Sequence, residues 1–296
     1  MRKTLDKSFW VALPFVARIF TGKTSQSKKN IKNPKKGVNM TSSSLSMMPV
    51  KGGSGNAFVG ESDNKRVFIK KNCSPFLTSV YLEGITPQVL WTKRTAEGDM
   101  LAAQPWINGH TLKPYEMNDS RIGEILRHLH QSEKLIEACK KLDNEVMLPA
   151  DLLEQVLSKS SIFETNGFLS NVVVELSENL PELKEEEITV VHGDVNHKNW
   201  LVDDESDKVY LVDWDTVLLS SPLVDIAHVL THYIKPENWE EWLHQAGYKT
   251  AKNIEHELIW YGKLSFLRQI SEYMAREQIK ETEQEIARFQ NFCRLF

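Results

Sequence analysis

Runs of apolar residues alternate with polar turns most clearly over residues 188–216. Three short runs rich in Val, Ile, Leu and Tyr are separated first by a polar loop and then by an acidic turn at residues 203–207. Short β-branched and aromatic runs bounded by turn residues are typical of strands. The pattern therefore predicts a strand, a loop and a hairpin of two further strands.

The pattern before this region is that of a small sheet. A glycine-rich turn at residues 51–56 is followed by four predicted strands, with one helix between the second and the third. The strands are predicted near residues 57–59, 66–70, 87–93 and 99–105, and the helix over residues 76–83. This part of the chain is therefore predicted to form an antiparallel sheet with one helix.

Beyond residue 106, apolar residues recur at intervals of three and four, which is the period of a helix with one buried face. The first of these helices has Asn118 or Asp119 available as its cap. Further helices are predicted over residues 152–157 and 168–180 and from Pro222 onwards. A small sheet followed by a mostly helical remainder predicts an α+β fold.

The net charge of −4 hides an asymmetry along the chain. Up to Met40 there are ten basic residues and one acidic residue, a balance of +9 that leaves −13 for the remainder. A remainder with so much negative charge does not favour a nucleic-acid-binding surface.

The cysteines indicate the redox compartment. Cys73, Cys139 and Cys293 are odd in number and far apart, which predicts neither a disulfide framework nor a zinc ribbon. A reducing, cytoplasmic compartment is expected.

Residues 1–48 are predicted to form a basic, disordered extension. The apolar run at residues 9–20 is interrupted by a proline and an arginine and is shorter than the roughly 20 residues of a membrane span. The Lys-, Ser-, Asn- and Thr-rich segment after it has little to bury. A signal peptide is the alternative interpretation, but no clear small-residue cleavage site follows the apolar run. Met40, Met47 and Met48 are alternative start sites.

Polar side chains gather where the central strands are expected to end. His192, Asp194 and Asn199 lie in the polar loop, and Asp213 and Asp215 follow the last strand. Carboxylates gathered at strand ends repel one another and are costly to desolvate, so such a site usually holds a cation. Magnesium, which prefers oxygen ligands, is the natural candidate.

The spacing of these residues fits phosphoryl transfer. Asp194 and Asn199 are five positions apart, like the base and the metal-binding amide of the kinase catalytic loop, and Asp213 follows where a second metal ligand is expected. Phosphoryl transfer needs an acceptor for the hydroxyl proton and a divalent cation that offsets the charge of the moving phosphoryl group. One carboxylate can serve the first need, and an amide with a second carboxylate can serve the other.

Three other interpretations use the same residues. Residues 213–216 match the D-x-D-x-T of aspartyl-phosphate phosphatases. In those folds, however, the motif lies on an early strand with strand–helix repeats after it. A zinc site from His192, Asp194 and His197 would lack the further ligands of a catalytic zinc centre. Ordinary turn residues would not account for the five-position spacing together with a second aspartate.

Two motifs resemble the signature of the aminoglycoside phosphotransferase and choline kinase family: His-Gly-Asp at residues 192–194 with Asn199, and Leu-Val-Asp-Trp-Asp at residues 211–215. These are small-molecule kinases with a protein-kinase-like fold. The resemblance implies a two-lobed molecule with ATP and Mg²⁺ as cofactors. Its nucleotide-binding lobe, including the hinge, would span residues 49–106, and its helical catalytic and substrate lobe residues 107–296.

The resemblance also implies a role for each residue of the two motifs. Asp194 would be the catalytic base, Asn199 and Asp213 the Mg²⁺ ligands, His192 a residue that shapes the loop, and Asp215 a further carboxylate of the metal site. Asp225, in the first turn of the helix after Pro222, would brace the loop by hydrogen bonds. The helix dipole would favour an aspartate there in any case.

The nucleotide side of the site follows from the same resemblance. Lys70 would hold the α and β phosphates and pair with Glu83, and the neighbouring Lys71 is the alternative, because only one of two adjacent strand residues can face inward. The glycines beside the phosphates would be Gly53 and Gly55. The hinge that reads adenine would contain Gln104 and Trp106.

The acceptor is a small molecule with a hydroxyl group, and the family resemblance offers aminoglycosides, choline and sugars. From residue 49 to about 273 the chain resembles a bacterial cell-cycle regulator of this family. This resemblance implies a ribose-type sugar or nucleoside as the acceptor. It also implies a role in regulating the cell cycle and the initiation of DNA replication, with replication-initiation proteins as partners. The alternative is a kinase-shaped binding protein that acts through such partners. Neither direct nucleic-acid binding nor a membrane is expected.

A choline acceptor would need a cage of aromatic rings around its quaternary ammonium group. Aromatic residues lie on the C-terminal helical patterns, where packing in the core is their commoner use. They are Trp239, Trp242, Tyr248, Trp260, Tyr261, Phe266 and Tyr273.

Overall fold

The computed structural model describes residues 46–49, 56–62, 65–142, 144–248 and 254–296. Over these residues the chain forms ten strands and ten helices, besides short 3-10 turns. The strands are β1 (Ser46–Pro49), β2 (Ala57–Ser62), β3 (Lys65–Lys71), β4 (Trp91–Arg94), β5 (Met100–Pro105), β6 (Gly109–Thr111), β7 (Thr189–Val191), β8 (Trp200–Asp203), β9 (Val209–Leu211) and β10 (Leu218–Ser220). The helices are α1 (Leu77–Leu82), α2 (Ser120–Gln131), α3 (Glu133–Lys140), α4 (Pro149–Leu157), α5 (Ile162–Thr165), α6 (Gly167–Glu178), α7 (Leu223–Tyr233), α8 (Trp239–Gln245), α9 (Ile254–Ala275) and α10 (Ile279–Leu295).

The first five strands form one antiparallel sheet in the order β1-β2-β3-β5-β4, which confirms the predicted antiparallel sheet and adds β1 to its four predicted strands. On one face Val67 and Ile69 of β3 pack against Leu101 and Ala103 of β5. Because side chains alternate along a strand, Lys70 lies on the opposite face. Residues 46–48, which the sequence assigned to the N-terminal extension, belong to strand β1.

The remainder of the described chain is mostly helical and surrounds the main hydrophobic core. Helix α2 begins after Asp119, whose side chain accepts a hydrogen bond from Arg121 N at 2.9 Å, so Asp119 is the cap. Its apolar stripe, including Ile122 and Leu126, is buried as the period predicted. The small sheet and the helical part together confirm the predicted α+β fold. No helix in the described part of the chain is long and apolar enough to cross a membrane.

The central region has the predicted strand, loop and hairpin. Strand β7 pairs antiparallel with β10, while β8 and β9 form a hairpin whose outer neighbour is β6. The loop between β7 and β8 contains a 3-10 turn at His197–Asn199, and a second 3-10 turn at Trp214–Thr216 follows β9. These two turns carry the residues of both motifs.

The C-terminal aromatic residues serve mainly as core. The indole N–H of Trp239 donates to Leu230 O at 3.1 Å, and that of Trp260 donates to Leu176 O at 3.0 Å. Phe266 stacks on Phe289 with ring centroids 4.8 Å apart. These three rings are therefore engaged in packing against neighbouring helices.

Candidate active site

The loop between β7 and β8 is held by the buried carboxylate of Asp225 on α7. His192 N donates to Asp225 Oδ2 at 2.8 Å, and Gly193 N donates to Oδ1 at 2.9 Å. His130 Nε2 lies 3.1 Å from Oδ2. Burial alone would raise the pKa of Asp225, but His130, His192 and these donors hold it below its ordinary value. Asp225 is therefore ionised and makes the bracing contacts that the resemblance implied.

His192 and Gly193 connect this loop to the segment after β9. His192 Nδ1 accepts a hydrogen bond from Asp194 N at 3.2 Å, so its proton lies on Nε2, which donates to Val212 O at 3.0 Å. Burial lowers the pKa of His192 and keeps the ring neutral. Gly193 has a φ of +77°, and a Cβ atom there would lie 2.7 Å from Thr216 O. Both residues therefore shape the loop, which is the role the resemblance implied for His192.

The Asp194 carboxylate is oriented by two side-chain amides. Asn196 Nδ2 donates to its Oδ1 at 2.6 Å, and Asn199 Nδ2 donates to its Oδ2 at 3.0 Å. Asn199 also joins the two motifs, since its carbonyl oxygen accepts a hydrogen bond from Val212 N at 2.9 Å. Its Oδ1 accepts no hydrogen bond from the described residues and is free to bind a cation. Asn196 was not predicted as a site residue, although asparagine side chains in loops commonly hydrogen-bond to near neighbours.

Lys70 lies between the two aspartates that follow β9. Its Nζ is 2.5 Å from Asp213 Oδ1 and 2.6 Å from Asp215 Oδ2. Burial alone would lower the pKa of Lys70, but hydrogen bonds and charge from the two aspartates raise it above its ordinary value. Lys71 turns away and pairs with Asp99 at 2.7 Å. The structure thus selects Lys70 over Lys71 as the lysine of the site.

Asp213 has an uncommon backbone conformation. Its φ of 70° and ψ of 65° lie in the left-handed region, which residues other than glycine rarely adopt, although aspartate does so more often than most. The conformation turns the chain sharply after β9, so Asp213 and Asp215 both reach Lys70. Strain of this kind persists only where the surrounding structure enforces it, and it is concentrated at functional sites.

The predicted pairing of Lys70 with Glu83 is wrong. Glu83 follows the last residue of α1, and its carboxylate lies 3.1 Å from His128 Nε2 and 3.5 Å from Lys134 Nζ. Helix α1 has only six residues and contains no acidic residue that could face the sheet. Because Glu83 lies beyond the helix end, its side chain turns towards His128 of α2 and Lys134 of α3. Asp215 supplies the second carboxylate beside Lys70 instead.

The predicted nucleotide-binding segment is defined only in part. Gln104 is buried, and its side-chain amide donates to Pro87 O at 2.8 Å, so this side chain supports the turn before β4. The backbone N–H of Trp106 donates to Arg66 O at 3.2 Å. The reading of adenine by this hinge stays a prediction. Gly53 and Gly55 lie outside the described residues.

A cavity opens beside Asp194, between α4, α7 and α9. Its apolar lining includes Leu152 and Leu264, and Tyr261 is the one Phe, Tyr or Trp side chain among its described lining residues. The polar side chains on its wall, besides Asp194, are Gln155, His228, Ser265, Arg268, Gln269 and Glu272. No sequence pattern predicted this cavity, because its walls come from three helices that are distant in the chain.

The rival interpretations do not fit this arrangement. His192 uses both ring nitrogens within the loop and is not free to bind zinc, while His197 Nδ1 lies 3.2 Å from Tyr233 OH. In the part of the chain that the structure describes, no group of three or more His, Cys, Asp or Glu side chains could hold a metal ion. After Thr216 the described chain has one short strand and then helices, unlike a phosphatase with strand–helix repeats.

Comparisons with known proteins identify the same fold and family. A family model described as the phosphotransferase enzyme family (APH) matches residues 76–289. The choline kinase LicA from Streptococcus pneumoniae is 14% identical with a TM-score of 0.62, and the match covers 83% of this chain and 94% of that chain.

Two further solved structures are similar. The spectinomycin phosphotransferase APH(9)-Ia, solved with ADP and spectinomycin, is 18% identical with a TM-score of 0.54, and the match covers 85% of this chain and 89% of that chain. An ethanolamine kinase from Plasmodium vivax is 14% identical with a TM-score of 0.58, and the match covers 86% of this chain and 84% of that chain. At these identities the structures show a shared kinase-like fold.

Proposed function

Because the chain belongs to the phosphotransferase enzyme family, we propose that it transfers the γ-phosphoryl group of ATP to a hydroxyl group of a ribose-type sugar or nucleoside. The observation that carries this proposal is the joining of three distant segments at one site. Asn199 connects Asp194 to the segment after β9, and that segment in turn pairs with Lys70 of the N-terminal sheet.

In the proposed reaction Asp194 accepts the proton of the attacking hydroxyl. Its two carboxylate oxygens are already oriented by Asn196 and Asn199, so the base needs little reorganisation. Its position on the wall of the cavity brings it beside a bound acceptor. Lys70 would hold the phosphates of ATP, and its ion pairs with Asp213 and Asp215 fix where its ammonium group lies.

The residues present fit a magnesium site. Asn199 Oδ1 accepts no hydrogen bond from the described residues, and the Asp213 side chain is 52% exposed. Carboxylate and amide oxygens together with nucleotide phosphates are the ligands that Mg²⁺ usually takes in kinases. The chemistry that a bound Mg²⁺ would supply is neutralisation of the charge on the transferred phosphoryl group.

The wall of the cavity supports a polyhydroxylated acceptor. It offers amide, imidazole, hydroxyl and guanidinium groups, which suit the hydroxyls of a sugar. It offers one aromatic side chain from Tyr261, whereas a quaternary ammonium group such as that of choline is usually held by several rings. A ribose-type acceptor therefore suits the wall better than choline does.

The proposed cellular role depends on sequence resemblance. From residue 49 to about 273 the chain is similar to the bacterial cell-cycle regulator CcrZ (YtmP). A role in regulating the cell cycle and the initiation of DNA replication, with replication-initiation proteins as partners, follows from that resemblance.

Acceptor-dependent ATP turnover tests the proposed reaction. The wild type and Asp194→Asn are compared with D-ribose, adenosine, ethanolamine, choline and spectinomycin as acceptors. The wild type should respond to D-ribose or adenosine, and Asp194→Asn should be slower by a factor of about 10²–10⁴, the usual contribution of a general base. Equal rates for the two proteins would refute the enzymatic proposal and favour a binding protein of kinase shape.

A further inference from the structure

A row of four polar side chains runs from α10 to the wall of the cavity beside Asp194. His232 Nδ1 lies 3.3 Å from Glu285 Oε1, and His232 Nε2 lies 3.0 Å from Ser265 Oγ. Ser265 Oγ in turn lies 2.8 Å from His228 Nδ1. His228 lines the cavity together with Asp194. The sequence analysis singled out none of these four residues.

The contacts along this row determine which atom carries each proton. Burial alone would raise the pKa of Glu285, but His232 and Arg288 hold it below its ordinary value, so Glu285 is ionised. The 3.3 Å contact between His232 Nδ1 and Glu285 Oε1 is not aligned as a hydrogen bond, but a lone pair on Nδ1 would be repelled by the carboxylate, so the ring proton lies on Nδ1 and Nε2 is left as an acceptor. Ser265 has one hydroxyl proton, which it donates to His232. Its oxygen must then accept from His228 Nδ1–H.

The consequence is that His228 Nε2 has a lone pair and no proton. Both histidines must be neutral for this, and burial lowers the pKa of each. The neighbouring positive charges of Arg268 and Arg288 lower the pKa of His228 further. The atom itself is buried and has no hydrogen-bond partner among the described residues. An unsatisfied buried acceptor is costly, and because His228 is one of the residues that line the cavity, a ligand bound there is the natural source of the missing donor.

We propose that His228 Nε2 accepts a hydrogen bond from a second hydroxyl group of the acceptor while Asp194 takes the proton of the first. This inference rests on the proposed function and adds a specificity-determining residue to it. The donor is assigned to a hydroxyl because neutral polar side chains, Gln155 and Gln269, line the same cavity and suit a polyhydroxylated molecule. Molecules with two suitably spaced hydroxyls are therefore favoured over those with one.

Two matched substitutions separate binding by Nε2 from a purely structural role. His228→Asn places its amide near the position of Nδ1, where Ser265 can still bond it, and leaves the cavity side without a polar atom. His228→Gln places its amide near the position of Nε2. With D-ribose and adenosine as probes, His228→Asn should raise the acceptor KM about tenfold, the usual effect of one lost hydrogen bond in a polar site. His228→Gln should stay within about threefold of the wild type.

A second readout needs no catalysis. In two-bond ¹H–¹⁵N spectra of the histidine rings, with His228 assigned by its loss in His228→Gln, Nε2 should resonate as an unprotonated nitrogen and shift when D-ribose or adenosine is added. A protonated Nε2, or no shift with either probe, would overturn the inference. Equal acceptor KM values for His228→Asn and His228→Gln would also overturn the inference. So would a His228→Asn variant that weakens the binding of ethanolamine alone. Equal ATP turnover by the wild type and Asp194→Asn would instead count against the proposed function.

Discussion

Replacing Asp225 by asparagine tests how the catalytic loop is held. The substitution keeps the shape of the side chain and removes its charge. Three donors face its two oxygens, namely His192 N at 2.8 Å, Gly193 N at 2.9 Å and His130 Nε2 at 3.1 Å. An asparagine has one side-chain oxygen, so at least one buried donor would face an NH₂ group. The expected result is a destabilised protein whose loop no longer positions Asp194.

The magnitude follows from the number of contacts. A hydrogen bond to a charged group contributes about 1.5–3 kcal/mol, and a buried donor left without a partner costs about 1–3 kcal/mol. Asp225→Asn should therefore lower the free energy of unfolding by about 3–5 kcal/mol. That is a large part of the roughly 5–15 kcal/mol that stabilises a typical domain.

The sign of the pH dependence provides a second check. The pKa of Asp225 in the folded protein is lowered, so it lies below the unfolded-state value of about 3.9. Its contribution to stability is therefore complete at neutral pH and is lost as the pH falls through the folded-state pKa. The difference in stability between the wild type and Asp225→Asn should accordingly shrink below a pH of about 4.

Urea unfolding followed by tryptophan fluorescence measures both effects. Glu182→Gln, which removes a carboxylate at an exposed position, is the control and should change the free energy of unfolding by less than about 0.5 kcal/mol. A loss of less than about 1 kcal/mol in Asp225→Asn at pH 7 would refute the account of the loop, because one charged hydrogen bond alone should exceed it. A difference in the free energy of unfolding between the wild type and Asp225→Asn that stayed the same at acidic pH would also refute it.

Four further substitutions address individual features of the site. Lys70→Met should raise the KM for ATP by about tenfold or more, whereas Lys71→Met should change it less than about threefold. Steady-state kinetics measure both values. A larger effect of Lys71→Met than of Lys70→Met would contradict the assignment. Gly193→Ala should lower the free energy of unfolding by about 1–3 kcal/mol, because its φ of +77° and the nearby Thr216 O oppose a Cβ atom, and urea unfolding equal to the wild type would disprove this strain. Glu83→Gln should keep kcat within about twofold, since its carboxylate faces α2 and α3, and a fall of about a hundredfold would mean that Glu83 reaches the nucleotide.

Much of the fold was predictable because it depends on neighbouring residues. Short β-rich runs with turn residues between them predicted the strand, loop and hairpin around Asp194, and the helical period predicted the buried stripe of α2. The five-position spacing of Asp194 and Asn199 predicted that these two side chains would meet, and Asn199 Nδ2 donates to Asp194 Oδ2 at 3.0 Å. A hairpin brings its two ends together whatever the rest of the chain does.

Other features depended on contacts between distant segments. Glu83 was assigned to Lys70, yet its carboxylate turned to His128 and Lys134 because α1 ends before it. The direction of a side chain at a helix end depends on which charges other elements bring near, and a single sequence does not contain that information. Asp215 became the second partner of Lys70 only through the sharp turn at Asp213.

The sequence by itself determined the fold class, the enzyme family and the residues of the two motifs, since each of these is written in local patterns and spacings. The tertiary structure alone decided which lysine faces the site, which carboxylates pair with it and what lines the cavity. The row from Glu285 to His228 belongs to this second group. Its members lie on three helices, and the proton positions that make His228 Nε2 an acceptor follow only from their contacts in space.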